Sequence, residues 1–281
     1  MKNIFSIDVE DWFNILGFPG SLSISEWDAL PSRIEANFIR LLDVVGEKDI
    51  KVTCFFVGYF AERFPALLKE AVKRGHEIAS HGYVHNLVYE MTPDEFFMDA
   101  EKSRKIIEDI GGRAVKGYRA AGFSVTEETP WYFEKLVEAG YRYDSSVFPA
   151  DRQHGGLKTG IFHPYVINTG GGEIIEFPMT ITKIFNASMC FFGGGYLRFF
   201  PYQITKFMSQ KVMKEGRPVI FYVHPREIDP EHPRLNMGTM KRFKSYVNLK
   251  STEAKVRKIL SDFEITTFED FIKENNLHGG K

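Results

Sequence analysis

The sequence predicts an α/β fold, a distorted (β/α) barrel of about seven parallel strands, and three observations carry that reading. Short apolar runs alternate with helix-length segments that open on caps and stop at glycines, as repeated βα units do. The side chains best suited to chemistry, Asp8, His81, Arg119, Asp144 and His224, each end such a run or follow it closely. An α/β barrel places its chemistry at the carboxyl ends of its strands. With 281 residues and 43% hydrophobic content, the chain can also bury a sizeable core.

The elements follow in order. Asn3–Asp8 reads as a strand, and Ser32-Arg33-Ile34-Glu35 opens a helix with a capping-box pattern. Val52–Val57 is a buried strand, and the helix near Pro65–Arg74 stops at Gly75. Glu77–Ser80 is a short strand that delivers His81 and His85. Thr92-Pro93-Asp94-Glu95 is a second capping box with proline at the first helical position, and its helix runs to Gly111. Lys116–Arg119 is strand-like, Thr126–Ala139 a helix ended by Gly140, and Arg142–Ser145 a further strand. Glu173–Phe177, Pro218–Val223 and Phe263–Thr266 are strands, and Tyr202–Glu215 and Thr252–Asp262 helices. Residues 148–200, above all Phe148–Thr180, break the alternation with Gly155-Gly156 and Gly170-Gly171-Gly172, so an insertion of loops and hairpins is expected at the barrel mouth. With no repeat and no linker, residues 1–281 are expected to be one domain.

Net charge is −1 and no strong basic block is present, which argues against phosphate-driven nucleic-acid binding. No G-x-x-x-x-G-K-[ST] and no strand-bounded G-x-G-x-x-G accompanies the glycines, so a nucleotide loop is not expected. Cys54 and Cys190 lie in apolar runs and are expected as buried free thiols, which suits a reducing compartment. The first residues enter a strand without a leader-like apolar region, and no apolar run approaches about 18 residues. The expectation is a cytoplasmic protein without a membrane span.

The most pointed chemistry is His81 and His85, four residues apart after the run Glu77-Ile78-Ala79-Ser80. Two neutral imidazoles and one carboxylate make a three-ligand site with an open position, the arrangement a hydrolytic metal needs. Asp8-Val9-Glu10-Asp11 offers the carboxylates: one could ligate and another act as base, and the spacing does not divide these roles. Asp8 at the end of an apolar strand is costly without a partner. Arg119 and Asp144 have the plainer readings of an ion pair and a cap, and His224 exits a central strand toward the mouth. His76 reads as a structural partner, and His154, His163, His232 and His278 as loop or tail residues.

Taken together, from about Asn3 to Phe271, these segments resemble the NodB-type polysaccharide deacetylases, carbohydrate esterase family 4. Asp8-Val9-Glu10-Asp11 stands at the family's paired-aspartate motif, and Gly75–His85 at its H-x3-H motif. Tyr118-Arg119-Ala120-Ala121-Gly122 stands at the arginine motif, Asp144-Ser145-Ser146 at the aspartate motif and Val223-His224 at the histidine motif. Tyr141–Pro149, Gly193–Arg198 and His224–Pro230 look like the cytoplasmic subgroup of exopolysaccharide and O-antigen gene clusters.

The resemblance implies a metal-dependent hydrolase that removes an N-acetyl group from an amino sugar in a polysaccharide or a lipid- or nucleotide-linked relative of it. It implies Asp8 as general base, and His81 and His85 as ligands of a divalent ion, zinc foremost. Arg119 would orient the base, and Asp144 would hold the general acid His224. The paired aspartates are spread apart here, so the third ligand is Glu10 by register or Asp11 by side-chain type; the arginine motif also lacks the family's proline. Trp12, Tyr118 and Tyr196 are candidates for a sugar platform. The rivals are a metal amidase of small cyclic amides or formyl groups on the same scaffold, and an inactive sugar-binding module.

Overall fold

The computed structural model describes residues 1–15, 24–150, 155–184 and 187–277. Its strands are β1 (Asn3–Val9), β2 (Thr53–Phe56), β3 (Glu77–Ser80), β4 (Gly117–Tyr118), β5 (Tyr143–Asp144), β6 (Tyr165–Thr169), β7 (Gly172–Glu176), β8 (Thr182–Ile184), β9 (Ala187–Met189), β10 (Ile220–Val223) and β11 (Ile265–Thr266). The main sheet runs β10-β1-β2-β3-β4-β5-β7-β6; all neighbours are parallel except the closing β7–β6 hairpin, and β11 adds parallel to β1. Every residue of β1 is buried, as expected of a central strand covered on both faces. The sheet curls until the chain beyond β7 reaches β10. Ile220 N–H donates to Thr180 Oγ1 at 2.9 Å, and Gly193 makes a single parallel bridge with Tyr222. This is the distorted barrel of the sequence reading.

Strand alternation sorts the side chains into an interior and a helix-covered exterior. Ser6 and Asp8 of β1 point inward to Arg119. Below them Tyr143, Phe177 and Phe268 pack ring on ring, with Phe55 against Phe268. The helix Phe268–Glu274 closes the bottom, its first N–H donating to Thr53 Oγ1 at 3.2 Å. Glu77 lies there as well, with Tyr143 OH and Thr53 Oγ1 donating to it, and burial pushes its carboxyl up to about 7.

Several local readings change. The Thr92 box forms as expected: Thr92 Oγ1 accepts Glu95 N–H while Glu95 accepts Thr92 N–H at 2.8 Å, and Gly112 at φ +65 ends that helix, Pro93–Gly111. The Ser32 box does not, because Ser32 donates its hydroxyl to Asp11 at 2.6 Å; Arg33 stands at the N-cap without a side-chain capping bond, its guanidinium instead donating to Asp229. The helix expected over Thr126–Ala139 is only Tyr132–Glu138. Thr126 and Thr129 close a turn ahead of Pro130, which disfavours helical backbone at the residue before it. The segment 148–200 is more than an insertion at the mouth, since its β7 pairs with β5 as a core strand. It also holds the β8–β9 hairpin and the helix Gly194–Phe199. The helix Thr239–Tyr246 has no counterpart in the sequence reading. Cys54 and Cys190 are buried, and neither is in a disulfide among the described residues.

Candidate active site

At the carboxyl end of β1 the chain turns, and Glu10 follows Asp8 to the same side, an i, i+2 relation that alternation predicts. Glu10, His81 and His85 come together, all three buried, with one ligand atom from each lying within 4.8 Å of the other two. The loop that carries the histidines is propped from behind. Asp99, on the helix Pro93–Gly111, accepts Tyr83 N–H at 2.8 Å and Val84 N–H at 3.1 Å. Gly82 sits at φ +72, and a Cβ there would lie 2.9 Å from an Asp99 oxygen. Asp99 is a supporting residue the sequence reading did not find; its mid-helix position carries no motif signal.

The donor chemistry fits a cation. His81 Nδ1 lies 2.7 Å from the carbonyl of Arg119, which fixes that nitrogen as the N–H and leaves Nε2 as a free donor pair. Burial, then the neighbouring His85, pushes His81 down to about 3, so the ring is neutral as a ligand must be. Burial works to raise Glu10, but His85 and His224 outweigh it and keep the carboxylate low. His85 Nε2 and Glu10 Oε2 lie 2.6 Å apart. Of the two carboxylates left open above, Glu10 joins the cluster. Asp11 does not: it accepts from Ser32 Oγ and from the backbone N–H groups of Trp12 and Arg33, holding the start of the next helix.

Asp8 stands beside this cluster. Its Oδ1 accepts Arg119 Nη1 at 2.6 Å, while Oδ2 faces His224 Nε2 at 3.8 Å. Arg119 is itself fully buried, bound to Ser6 Oγ and both the carbonyl and hydroxyl of Ser145, with its guanidinium 4.1 Å from the Phe55 ring centre. His224 Nε2 also lies 3.7 Å from Glu10, and its side chain keeps 16% exposure where Asp8, Glu10 and His85 keep 5% or less. The histidine is therefore the wall of the cluster that opens to solvent.

Asp144 is not the partner of that histidine. It lies on the exterior face of β5, accepting from Tyr132 OH at 3.0 Å and Ser146 Oγ at 2.6 Å, because Tyr143 takes the inward position. Burial raises Asp144 to about 6, and the adjoining Glu176 is raised well above the usual carboxylate range by burial and then by Asp144. The place at His224 is taken by Glu227, whose Oε2 lies 3.1 Å from His224 Nδ1 and accepts the His224 N–H. Glu227 is fully buried. Burial opposes its charge, but His224 and Arg198 hold it well below the usual carboxylate range. Arg198 Nε donates to Glu227 Oε1 at 2.8 Å, and its other nitrogens bind the carbonyls of Lys244 and Ser245. For His224 itself burial works downward, but Glu10 and then Glu227 raise it. Glu227 and Arg198 were legible only as members of quoted segments, since a carboxylate three residues past the histidine in Pro225-Arg226-Glu227 is also an ordinary cap.

Of the aromatic candidates, Trp12 and Tyr118 are each 3% exposed and belong to the core, while Tyr196 is 36% exposed at the surface. His232 lies in a loop, as expected, but it is buried there, its ring stacked on Trp12. His154 and His278 lie outside the described residues.

Comparison with known proteins bears on this geometry. Residues 22–143 match the polysaccharide deacetylase family, and residues 145–273 match a domain of unknown function, DUF3473. Over residues 22–143 the chain is thus similar to the polysaccharide deacetylases. A peptidoglycan deacetylase of Helicobacter pylori is 30% identical over 136 residues, 48% of this chain and 42% of the relative. A peptidoglycan-N-acetylglucosamine deacetylase of Bacillus cereus is 31% identical over 80 residues, 28% of this chain and 29% of the relative. The chain thus matches less than half the length of these relatives. A putative polysaccharide deacetylase from Mycobacterium smegmatis has the same fold, with a TM-score of 0.62, 16% identity and coverage of 98% of this chain and 91% of that one. The Puue allantoinase superposes with a TM-score of 0.63 at 17% identity, covering 99% and 91%. The deacetylase match contributes His81, His85 and Arg119, the second match His224, Glu227 and Arg198, and residues outside both contribute Asp8, on β1, and Glu10, just after it.

Proposed function

We propose that residues 1–281 form one catalytic unit, a metal-dependent hydrolase that removes the N-acetyl group of an amino sugar in a polysaccharide or a carrier-linked form of it. The observation that carries this reading is the convergence of Glu10, His81 and His85 with Asp8 and His224 on either side. The deacetylases it resembles in sequence support the substrate class. Two imidazoles and a carboxylate suit zinc best among common divalent ions. A divalent ion held there supplies Lewis-acid polarisation of the acetyl carbonyl and acidifies a water.

The chain's own residues do the rest. Arg119 occupies Asp8 Oδ1 and so presents Oδ2 to the attacking water, from which Asp8 takes the proton. His224 Nε2 donates to the departing amine, which would otherwise leave poorly. Glu227 accepts the Nδ1–H of His224, fixing the ring, and together with Glu10 favours its charged form. Trp12 is buried, packed on His232 with its Nε1–H donated to the Pro31 carbonyl, so it presents no open ring face as a platform. Two buried cysteines outside any disulfide are compatible with a cytoplasmic setting.

Acetate release from N-acetylated oligosaccharides tests the proposal. Activity should vanish on chelation, return with zinc, and be absent in His81→Ala. Turnover of allantoin or a formylated sugar in preference to the acetylated one would transfer the assignment to the amidase rival. Undiminished activity in His81→Ala would remove the mechanism.

A further inference from the structure

A surface beside the acid side of the site has a composition that deacetylation does not explain. The helices Gly194–Phe199 and Thr239–Tyr246 lie together at the rim, with Phe199 and Phe243 edge to face at a centroid separation of 6.1 Å. Phe199 and Phe243 are each 50% exposed and Met240 68%, and Tyr196 belongs to the same pair of helices. The next helix, Tyr202–Lys214, turns Ile204 and Phe207 outward, the latter 63% exposed. Such side chains cost solubility wherever they face water together.

The charge along these segments is one-sided, although Arg198 is buried on Glu227 and Lys206 pairs with Asp262. From Phe177 through Lys214 there are five Lys or Arg residues and no carboxylate, and from His232 through Lys250 there are again five and none. The whole chain nevertheless carries a net charge of −1, so the remainder is strongly acidic. Lys241, Arg242 and Lys244 share a short helix with Met240 and Phe243, and among the described residues none of the three forms an ion pair. Unpaired cations interleaved with exposed Phe and Met are the composition of a helix lying in a lipid interface. A carbohydrate platform instead relies on rings with a polar edge, and only Tyr196 here has one.

We propose that the face bearing Tyr196, Phe199, Met240 and Phe243 docks peripherally on an anionic lipid bilayer. Its attachment to the site is direct. Arg198, on the first helix, donates to the carbonyls of Lys244 and Ser245 on the second and to Glu227, which holds His224. Docking therefore brings the open wall of the site to the lipid surface. The docking itself rests on the surface alone. Its consequence, that the glycan acted on is carried on a lipid, rests also on the deacetylase reading.

The test is co-sedimentation of the full chain with phosphatidylcholine vesicles, alone or with phosphatidylglycerol. Binding to the anionic vesicles should exceed binding to the neutral ones by at least about tenfold, and should weaken with salt, since each cation near such a surface is worth about fivefold in partition. Phe199→Ser/Phe243→Ser and Lys241→Gln/Arg242→Gln/Lys244→Gln should each lose about tenfold or more, with unchanged circular dichroism. Met98→Ser, another exposed methionine at 67% but on the helix Pro93–Gly111, should bind as wild type. His81→Ala should also bind as wild type, which separates this proposal from the catalytic one. Equal binding to both vesicles, binding indifferent to the substitutions, or no binding overturns it. So does self-association abolished by Phe199→Ser/Phe243→Ser, or binding of an acidic polysaccharide in place of vesicles.

Discussion

Asp8 and Asp144 invite comparison. Each lies at the carboxyl end of a parallel strand, each is almost wholly buried, and each stands in a motif that reads as catalytic. They face opposite sides of the sheet. Asp8 points into the barrel, where Arg119 binds one oxygen and the other faces His224. Asp144 points out beneath Tyr132, beside Glu176 and without a cation partner among the described residues, and its carboxyl is raised to about 6. The difference teaches that strand-end position selects candidates, while the two-residue period of the strand decides which of them can do chemistry. Glu77 adds a third case: it shares the interior with Asp8 but has no arginine, and it is raised to about 7.

The largest expected effect is that of Asp8→Asn, which should lower kcat by about a hundred- to ten-thousand-fold with metal content unchanged, read by acetate release and metal analysis. Retained kcat would make Asp8 no more chemical than Asp144. Next, Arg119→Met strands the buried Asp8 and should cost about 3–5 kcal/mol in denaturant unfolding. A cost near zero would show that Asp8 finds its partner elsewhere.

Glu77 sharpens the comparison through pH. Folding raises its carboxyl from 4.5 to about 7, so the folded state retains a proton that the unfolded chain sheds. Its contribution is intact below about pH 4.5 and is lost progressively as pH rises through 7, by roughly 3 kcal/mol at most. Glu77→Gln should therefore gain on wild type between pH 5 and pH 8, measured by urea midpoints; parallel curves would refute the shift.

Smaller again is Glu227→Gln, expected to reduce kcat about ten- to a hundredfold while KM stays near wild type. Asp144→Asn should change kcat by less than about tenfold, well short of the loss of a proton-transfer group. If the order of these two substitutions were reversed, the family's assignment of the aspartate motif would hold here after all.

Much of the fold was readable because its signals are local. The Thr92–Glu95 box, the stop after Arg74 and the apolar runs at β1, β2, β3 and β10 each depend on residues within a few positions of one another. Gly75 at φ +80 is such a stop. His81 and His85 were readable for the same reason. Failures arose where a distant group competed. Asp11 takes the Ser32 hydroxyl from across 21 residues, which dissolves one capping box and removes Asp11 from the ligand set. Arg198 reaches Glu227 across 29, and no spacing rule connects them.

Composition and short-range pattern alone determined a parallel α/β barrel, the H-x3-H loop, and the short list of strand-end carboxylates and histidines. Tertiary structure alone decided that Glu10 completes the cluster, that Glu227 stands behind His224, and that Asp144 faces away. Backbone preference is settled among neighbours along the chain, whereas the partner of a buried charge is whichever opposite charge folding leaves within reach. That choice depends on strand register and on which face of the sheet each side chain occupies.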